Sequence, residues 1–279
     1  MQDKIKFLAP AKVNLFLKVF NKRKDGYHNI RSGITFINLY DEINVEIKDK
    51  TSIKYFGKFT RKDNYSKDCI IKKTLNFLNL DKKINLEITI EKNIPVQAGL
   101  GAASSNAAAF IKALEKLNLI KMNEINQDLS ILGADVPVCY YGQNALVTGI
   151  GENIIKQTYP KYFFLLVKPK VNFSTKNLFN KVKYNSQLHK VNLNYREITQ
   201  TDHGNDFEEI AIQENREIGL ILNFLHDIEE NILVRMTGSG SCCYAVFDKK
   251  EYAINGQQIF NKKFPNLWSF VAENNAINN

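Results

Sequence analysis

The sequence predicts an α+β fold in two domains, on three observations. Strand-like segments crowd the N-terminal part, a strand–loop–helix unit lies in the middle, and after residue 160 helices are interrupted by only a few strands. Strands followed by helices differ from the regular alternation of a parallel α/β sheet. A length of 279 residues suits one large domain or two closely packed ones. The boundary is placed within 150–161, beside Pro160, which gives domains at 1–155 and 156–279.

The elements follow in order. "KIKFLA", "KVNLFLKVF", "GITFINL" and "EINVEIK" read as four strands, and a helix is expected at about 68–79. In "INLEITIEK", Ile84, Leu86, Ile88 and Ile90 share one face and Asn85, Glu87, Thr89 and Glu91 the other, the period of a half-buried strand. Ala107, Phe110, Ile111, Leu114 and Leu117 then recur at helical spacing. "NEINQDLSIL" predicts a further helix with Asn123 as its cap. Gly133 is expected to stop a helix, after which Val136, Val138 and Tyr140 alternate as a strand. "FFLLV", "CCYAVF" and "WSFVA" read as later strands, the first buried on both faces.

Composition narrows the class. Apolar residues at 44% suffice for a core without a disulfide framework. Cys69, Cys139, Cys242 and Cys243 show no metal-ligand spacing, and buried reduced thiols in a cytoplasmic protein account for them. No signal core and no membrane-spanning apolar run is present, so no membrane partner is expected. The net charge of +9 is spread along the chain, which favours a solvated lysine-rich surface that would still attract a phosphorylated substrate. His189, His203 and His226 lack ligand spacing and read as surface or lightly packed residues.

The densest signal is "PVQAGLGAASSNAAA" at 95–109, which joins the predicted strand to the predicted helix. Pro95, Val96, Gln97, Ala98, Gly99, Leu100, Gly101, Ala102, Ala103, Ser104 and Ser105 form the loop and the helix start. A helix N-terminus carries unpaired N–H groups and partial positive charge, and small residues let an anion approach it. This predicts a phosphate cradle. The bland alternative is a tight turn with Ser104 or Ser105 as cap. The Walker sequence is absent, the dinucleotide fingerprint fails at Ser104, and the protein-kinase motifs are missing.

Other stretches leave alternatives open. Lys12, in an apolar strand start, could simply snorkel to solvent. "DGYH" is a turn followed by Tyr27 and His28, which suit stacking on a base or ordinary exposure. Asp135 in "GADVP" is either a structural cap or a base presented at a cleft. "TGSGS" at 237–241 is a second Gly/Ser loop, fit to hold the other side of a polyphosphate or to act as a linker. No Ser–His–Asp pattern is assignable.

The central stretch resembles the phosphate-binding motif of the GHMP kinases, which include galactokinase, homoserine kinase, mevalonate kinase and phosphomevalonate kinase. "PAKVNLFL", "DGYH", "GADVP", "NDFE" and "TGSGS" occur in the order of one branch of that family, whose substrate is a cytidyl-diphosphate polyol on the non-mevalonate route to isoprenoid precursors. The likeness spans nearly the whole chain.

The resemblance implies a two-domain GHMP kinase fold, with an S5-like N-terminal domain containing a left-handed βαβ crossover and an α+β C-terminal domain. The active site would lie in the cleft between them. ATP, with magnesium, would rest its phosphates on 95–105. The resemblance makes Lys12 and Asp135 the catalytic pair, Tyr27 and His28 the cytosine readers, Asn14 a neighbour of the polyol hydroxyls, and Phe179 a stacking partner of the base. It implies a small cytidyl-diphosphate partner rather than nucleic acid. Ala102 and Ala103 stand where relatives carry glycines, and Asp68 where asparagine is usual. The rivals are another GHMP small-molecule kinase, for mevalonate or homoserine, and a non-catalytic nucleic-acid-binding protein.

Overall fold

The long strands β1 (Lys4–Lys22) and β2 (His28–Ile47) each join two of the segments predicted separately. Pro10 does not break β1, because this strand pairs with β2 alone among the named strands, so no second strand needs the N–H that proline lacks. The computed structural model describes residues 3–61, 69–81, 83–125, 128–182 and 204–274. Packing divides the chain into two units that share both long strands. One comprises Met1–Ala11, Leu39–Val96 and Gly101–Gly142; the other comprises Lys12–Asn38, Gln97–Leu100 and Gln143–Asn279.

In the first unit, Glu42–Ile47 of β2 pairs antiparallel with β4 (Leu86–Glu91), and β3 (Ser52–Phe56) pairs parallel with β4. The chain between β3 and β4 contains α1 (Ile70–Phe77), as parallel pairing requires a crossover. Cys69 caps α1 through its sulfur; Asp68 lies outside the described residues. Leu86, Ile88 and Ile90 are buried as the alternation predicts, against Phe110, Ala113 and Leu114 of α2 (Ala102–Lys116).

Two local predictions for this unit fail. The stretch expected as one helix forms short 3-10 turns at Met122–Glu124 and Leu129–Ile131. Asp128, not Asn123, caps the second, accepting from Ser130 N and Ser130 Oγ. Such side-chain bonding offers the backbone an alternative to the helix. The stretch expected as a strand is α3 (Val136–Tyr141), with Pro137 in its first turn and left-handed Gly142 at its end. Five alternating residues are too few to distinguish a strand from a helix whose buried side is Val136, Val138 and Cys139.

In the second unit, Ile30–Ile34 of β2 pairs antiparallel with β5 (Ala145–Gly149), which pairs with β6 (Asn153–Lys156). A separate antiparallel sheet has the order β10 (Trp268–Glu273), β7 (Phe163–Lys168), β9 (Cys243–Phe247), β8 (Leu233–Met236). The inner strand β7 buries Phe164–Val167, matching its continuous apolar run. Helices α4 (Thr175–Lys181), α5 (Glu208–Glu214), α6 (Arg216–His226) and α7 (Lys250–Lys263) also belong to this unit. Leu165, Val167, Ala245 and Phe247 share its core with Ile221, Leu225 and Phe260.

All four cysteines are buried and reduced, and burial pushes the Cys242 thiol up to about 12. His226 is exposed; His189 and His203 lie outside the described residues. Among the described residues no helix is long and apolar enough to cross a membrane.

Candidate active site

The approach to the loop is fixed before the loop begins. Asp41, fully buried on β2, accepts from the Lys92 ammonium and from the backbone N–H groups of Asn93 (2.8 Å) and Ile94 (2.9 Å). Burial pulls the Lys92 ammonium below the usual lysine range, and Asp41 opposes that shift. The turn that delivers Pro95 is therefore held by a paired buried charge. The loop then uses positive φ at Gln97, Gly99 and Gly101.

In the first unit, left-handed Gly101 is the N-cap of α2, without a side-chain cap bond. Neither serine caps. Ser105 Oγ donates instead to the Pro10 carbonyl at 2.6 Å, tying the helix start to β1. This competes successfully with capping because a buried hydroxyl must find an acceptor. Ala103 is exposed and Ala102 half-buried, so the first turn of a fifteen-residue helix stays open to an anion. A β-carbon at Gly133 would stand 3.6 Å from Ser104 Oγ, so the "GADVP" turn lies beside that first turn. Asp135 holds the N-cap position of α3 without a side-chain cap bond.

In the second unit, Lys12 is only 3% exposed and does not snorkel. Its ammonium donates to Asn14 Oδ1 at 2.5 Å. Asn14 is held on every side: its N–H donates to Thr237 Oγ1 (2.9 Å), and its Nδ2 donates to Ser32 Oγ (2.7 Å). The Tyr244 hydroxyl donates to the Asn14 carbonyl at 3.0 Å, and burial raises the Tyr244 pKa, keeping it a neutral donor. Gly99 explains part of the small-residue pattern in a way the cradle reading does not. A β-carbon there would fall 2.2 Å from the Thr237 carbonyl oxygen, so this glycine admits protein backbone. The loops 97–100 and 237–241 thus press together, with Cys242 N donating to the Ala98 carbonyl (3.1 Å) and Lys12 N to the Leu100 carbonyl (3.0 Å). A β-carbon at Gly238 would sit 3.3 Å from Lys12 Nζ. The linker reading of "TGSGS" is excluded by these contacts. "NDFE" joins the same assembly: Asn205 Nδ2 donates to the carbonyls of Met236 (2.7 Å) and Gly238 (2.8 Å).

The same unit carries the aromatic residues. The turn before β2 closes through Arg23 N to Tyr27 O (2.7 Å), leaving Tyr27 61% exposed. His28 stacks on Phe179 of α4, with ring centroids 5.4 Å apart and planes at 26°. Phe179 packs edge-on to buried Phe207. His28 Nδ1 lies 3.2 Å from the Phe20 carbonyl. A carbonyl can only accept, so Nδ1 is the donor in this contact.

A family model described as the N-terminal domain of GHMP kinases matches residues 68–143, and one for the GHMP kinase C-terminal region matches 191–266. The chain belongs to the GHMP kinases. A 4-diphosphocytidyl-2-C-methyl-D-erythritol kinase of Wolbachia pipientis wMel is 33% identical over 93% of this chain and 95% of its own length. The enzyme of that name from Francisella tularensis subsp. holarctica (strain FTNF002-00 / FTA) is 35% identical over 86% of each chain. A crystal structure of 4-(cytidine 5'-diphospho)-2C-methyl-D-erythritol kinase shares the fold, with a TM-score of 0.75, 24% identity, and coverage of 96% of this chain and 99% of that one.

Within this GHMP kinase, the residues expected at the site fall into two described groups. Ser104, Ser105 and Asp135 belong to the first unit; Lys12, Asn14, Tyr27, His28, Gly99 and Phe179 belong to the second. Sequence reading missed Ser32 and gave Thr237 no individual role. "TGSGS" signalled Thr237, whereas nothing in the sequence distinguishes Ser32, whose partner lies on another strand.

Proposed function

We propose that this kinase transfers the γ-phosphoryl group of ATP to the 2-hydroxyl of 4-diphosphocytidyl-2-C-methyl-D-erythritol. The observation that carries the reading is the stacked pair His28 and Phe179 in the same unit as the buried Lys12–Asn14 contact. A base-stacking strip and a cation held for phosphoryl chemistry fit a substrate with a nucleobase at one end and an alcohol at the other. The named relatives at 33% and 35% identity support the choice of substrate.

In this mechanism the triphosphate rests on 95–105, at the N–H groups that open α2. Asp135 takes or orients the proton of the attacking hydroxyl. The bond from γ-phosphorus to the β–γ bridging oxygen breaks, a bond to the substrate oxygen forms, and ADP leaves. Lys12 stabilises charge on the moving group, and Asn14 orients its ammonium beside the erythritol hydroxyls. Its pairing with Asp135 rests on the family resemblance. Tyr27, His28 and Phe179 hold the cytosine. Residues 1–155 and 156–279 serve as the N-terminal and C-terminal domains, and the enzyme works in the cytoplasm. Magnesium would arrive with ATP and screen its phosphates. Among the described residues no group of three or more His, Cys, Asp or Glu side chains forms a metal cluster, and the roles above do not depend on one.

ADP release with the cytidyl substrate, run beside mevalonate and homoserine, tests the proposal. Turnover confined to the cytidyl compound is expected. Turnover of either control alone transfers the site to another GHMP activity, and salt-dependent RNA binding without turnover supports the nucleic-acid rival.

A further inference from the structure

Lys168 ends β7, and its ammonium is surrounded by neutral oxygens. It donates toward the carbonyls of Pro169 (2.8 Å) and Val171 (2.8 Å), Asn172 Oδ1 (3.0 Å) and Ser241 Oγ (2.8 Å). An ammonium has three N–H groups, so four acceptors saturate it. Ser241, fully buried, donates its own hydroxyl hydrogen bond to the Val171 carbonyl. The result is a closed knot between the turn after β7 and the loop 237–241. A second tie, Thr175 Oγ1 to Ser239 Oγ at 2.8 Å, runs parallel to it.

Each side of the knot leads to a residue of the site. The turn runs into Ser174, which caps α4, and α4 carries Phe179. The loop runs to Gly238, which backs on Lys12 and Asn14. The hydrogen-bond acceptors of Lys168 are all neutral, and burial holds its ammonium below the usual lysine range against the opposing charge of Glu217. A neutral side chain could have closed a simple turn.

We propose that Lys168 is a positioning residue of this kinase, whose ammonium locks the Gly/Ser loop against the α4 turn and so sets Lys12 and Phe179 in register for one substrate. The inference rests on the cytidyl-substrate reading for its kinetic consequence, though not for the knot itself.

The test uses the full-length enzyme with Lys168→Met, Lys168→Arg, Ser241→Ala, and Lys168→Met combined with Ser241→Ala. Hydrogen bonds from a charged donor support roughly a tenfold effect. Lys168→Met is expected to raise KM for the cytidyl substrate and lower kcat, each by roughly tenfold, with the ATP KM moving less than about twofold. Lys168→Arg should recover most of the loss. Ser241→Ala should shift the same constants in the same direction, and the combined variant should be no worse than Lys168→Met. Amide exchange on the free enzyme should quicken in 169–175 and 237–241 alone. Unchanged exchange in both segments, a uniform rise across the protein, or equal changes in both KM values would overturn the proposal. If Lys168→Met does not fold, Ser241→Ala decides by the same readings. Exchange needs no substrate, so failure of the wild-type enzyme to use the cytidyl compound refutes the substrate reading, while exchange still decides the knot.

Discussion

His28 stacks on Phe179 with ring centroids 5.4 Å apart, and Phe207 meets Phe179 edge-on at 4.8 Å. An imidazole and a phenyl ring from distant parts of the chain thus form one aromatic wall, with exposed Tyr27 next to it in sequence.

If that wall receives cytosine, Phe179→Ala removes a stacking face. The KM for the cytidyl substrate should rise about tenfold, because base–aromatic stacking is typically worth about 1–3 kcal/mol. Tyr27→Ala and His28→Ala should act in the same direction, and none should move the ATP KM. Steady-state kinetics with each substrate varied in turn checks this. Unaltered substrate KM in all three variants would remove the wall from the binding site.

The chemistry is probed at Asp135. Asp135→Asn keeps shape and removes the proton acceptor without removing a helix-cap bond, since the aspartate makes none. A kcat loss of about a hundredfold or more is expected, with both KM values little changed. Lys12→Met should also lower kcat, and the double variant should lose less than the product of the two. Near-normal turnover by Asp135→Asn would leave proton transfer to another acceptor.

The loop offers two contrasting substitutions. Gly99→Ala, at φ +73° and with its β-carbon 2.2 Å from the Thr237 carbonyl, must push two backbones apart. It should cost about 1–3 kcal/mol in urea unfolding and lower kcat. Ala103→Val is exposed and should barely change stability, but it should raise the ATP KM by crowding the triphosphate. Normal ATP kinetics for Ala103→Val would place the phosphates elsewhere.

Glu208 supplies a stability test. Its carboxylate accepts from Met236 N at 2.7 Å, and burial holds its pKa above the usual glutamate range, against the opposing Met236 N–H and Arg235. A raised folded-state pKa means that its contribution is full below the unfolded glutamate pKa and is lost as pH rises through the folded value. Glu208→Gln keeps an acceptor and cannot ionise. It should therefore be more stable than the parent at pH 8, with the advantage gone near pH 4. Urea midpoints at the two pH values measure it, and the same difference at both would contradict the assignment.

Much was legible in the sequence where the cause is local. Leu86, Ile88 and Ile90 alternate because one face of β4 meets a core, and Phe110, Leu114 and Leu117 recur at helical spacing because that side of the helix meets the same core. The small residues at 95–105 announced a close backbone approach, since only side-chain volume is needed to read that. Local pattern failed at Val136–Tyr141, where the few alternating residues satisfy either period, and at 122–131, where Asp128 captures a backbone N–H. Tertiary structure alone decided which partner each polar atom found. Lys12 is buried rather than snorkelled because Asn14, itself held by Ser32 and Thr237, offers it an acceptor. Gly99 must be glycine because of the Thr237 carbonyl, and Lys168 is tied to the loop 237–241 only once Ser241 arrives from another strand end. Periodicity is a property of one segment and can be read from it. A buried hydrogen bond between distant segments exists only after folding has brought both partners together, so no stretch of the sequence contains it.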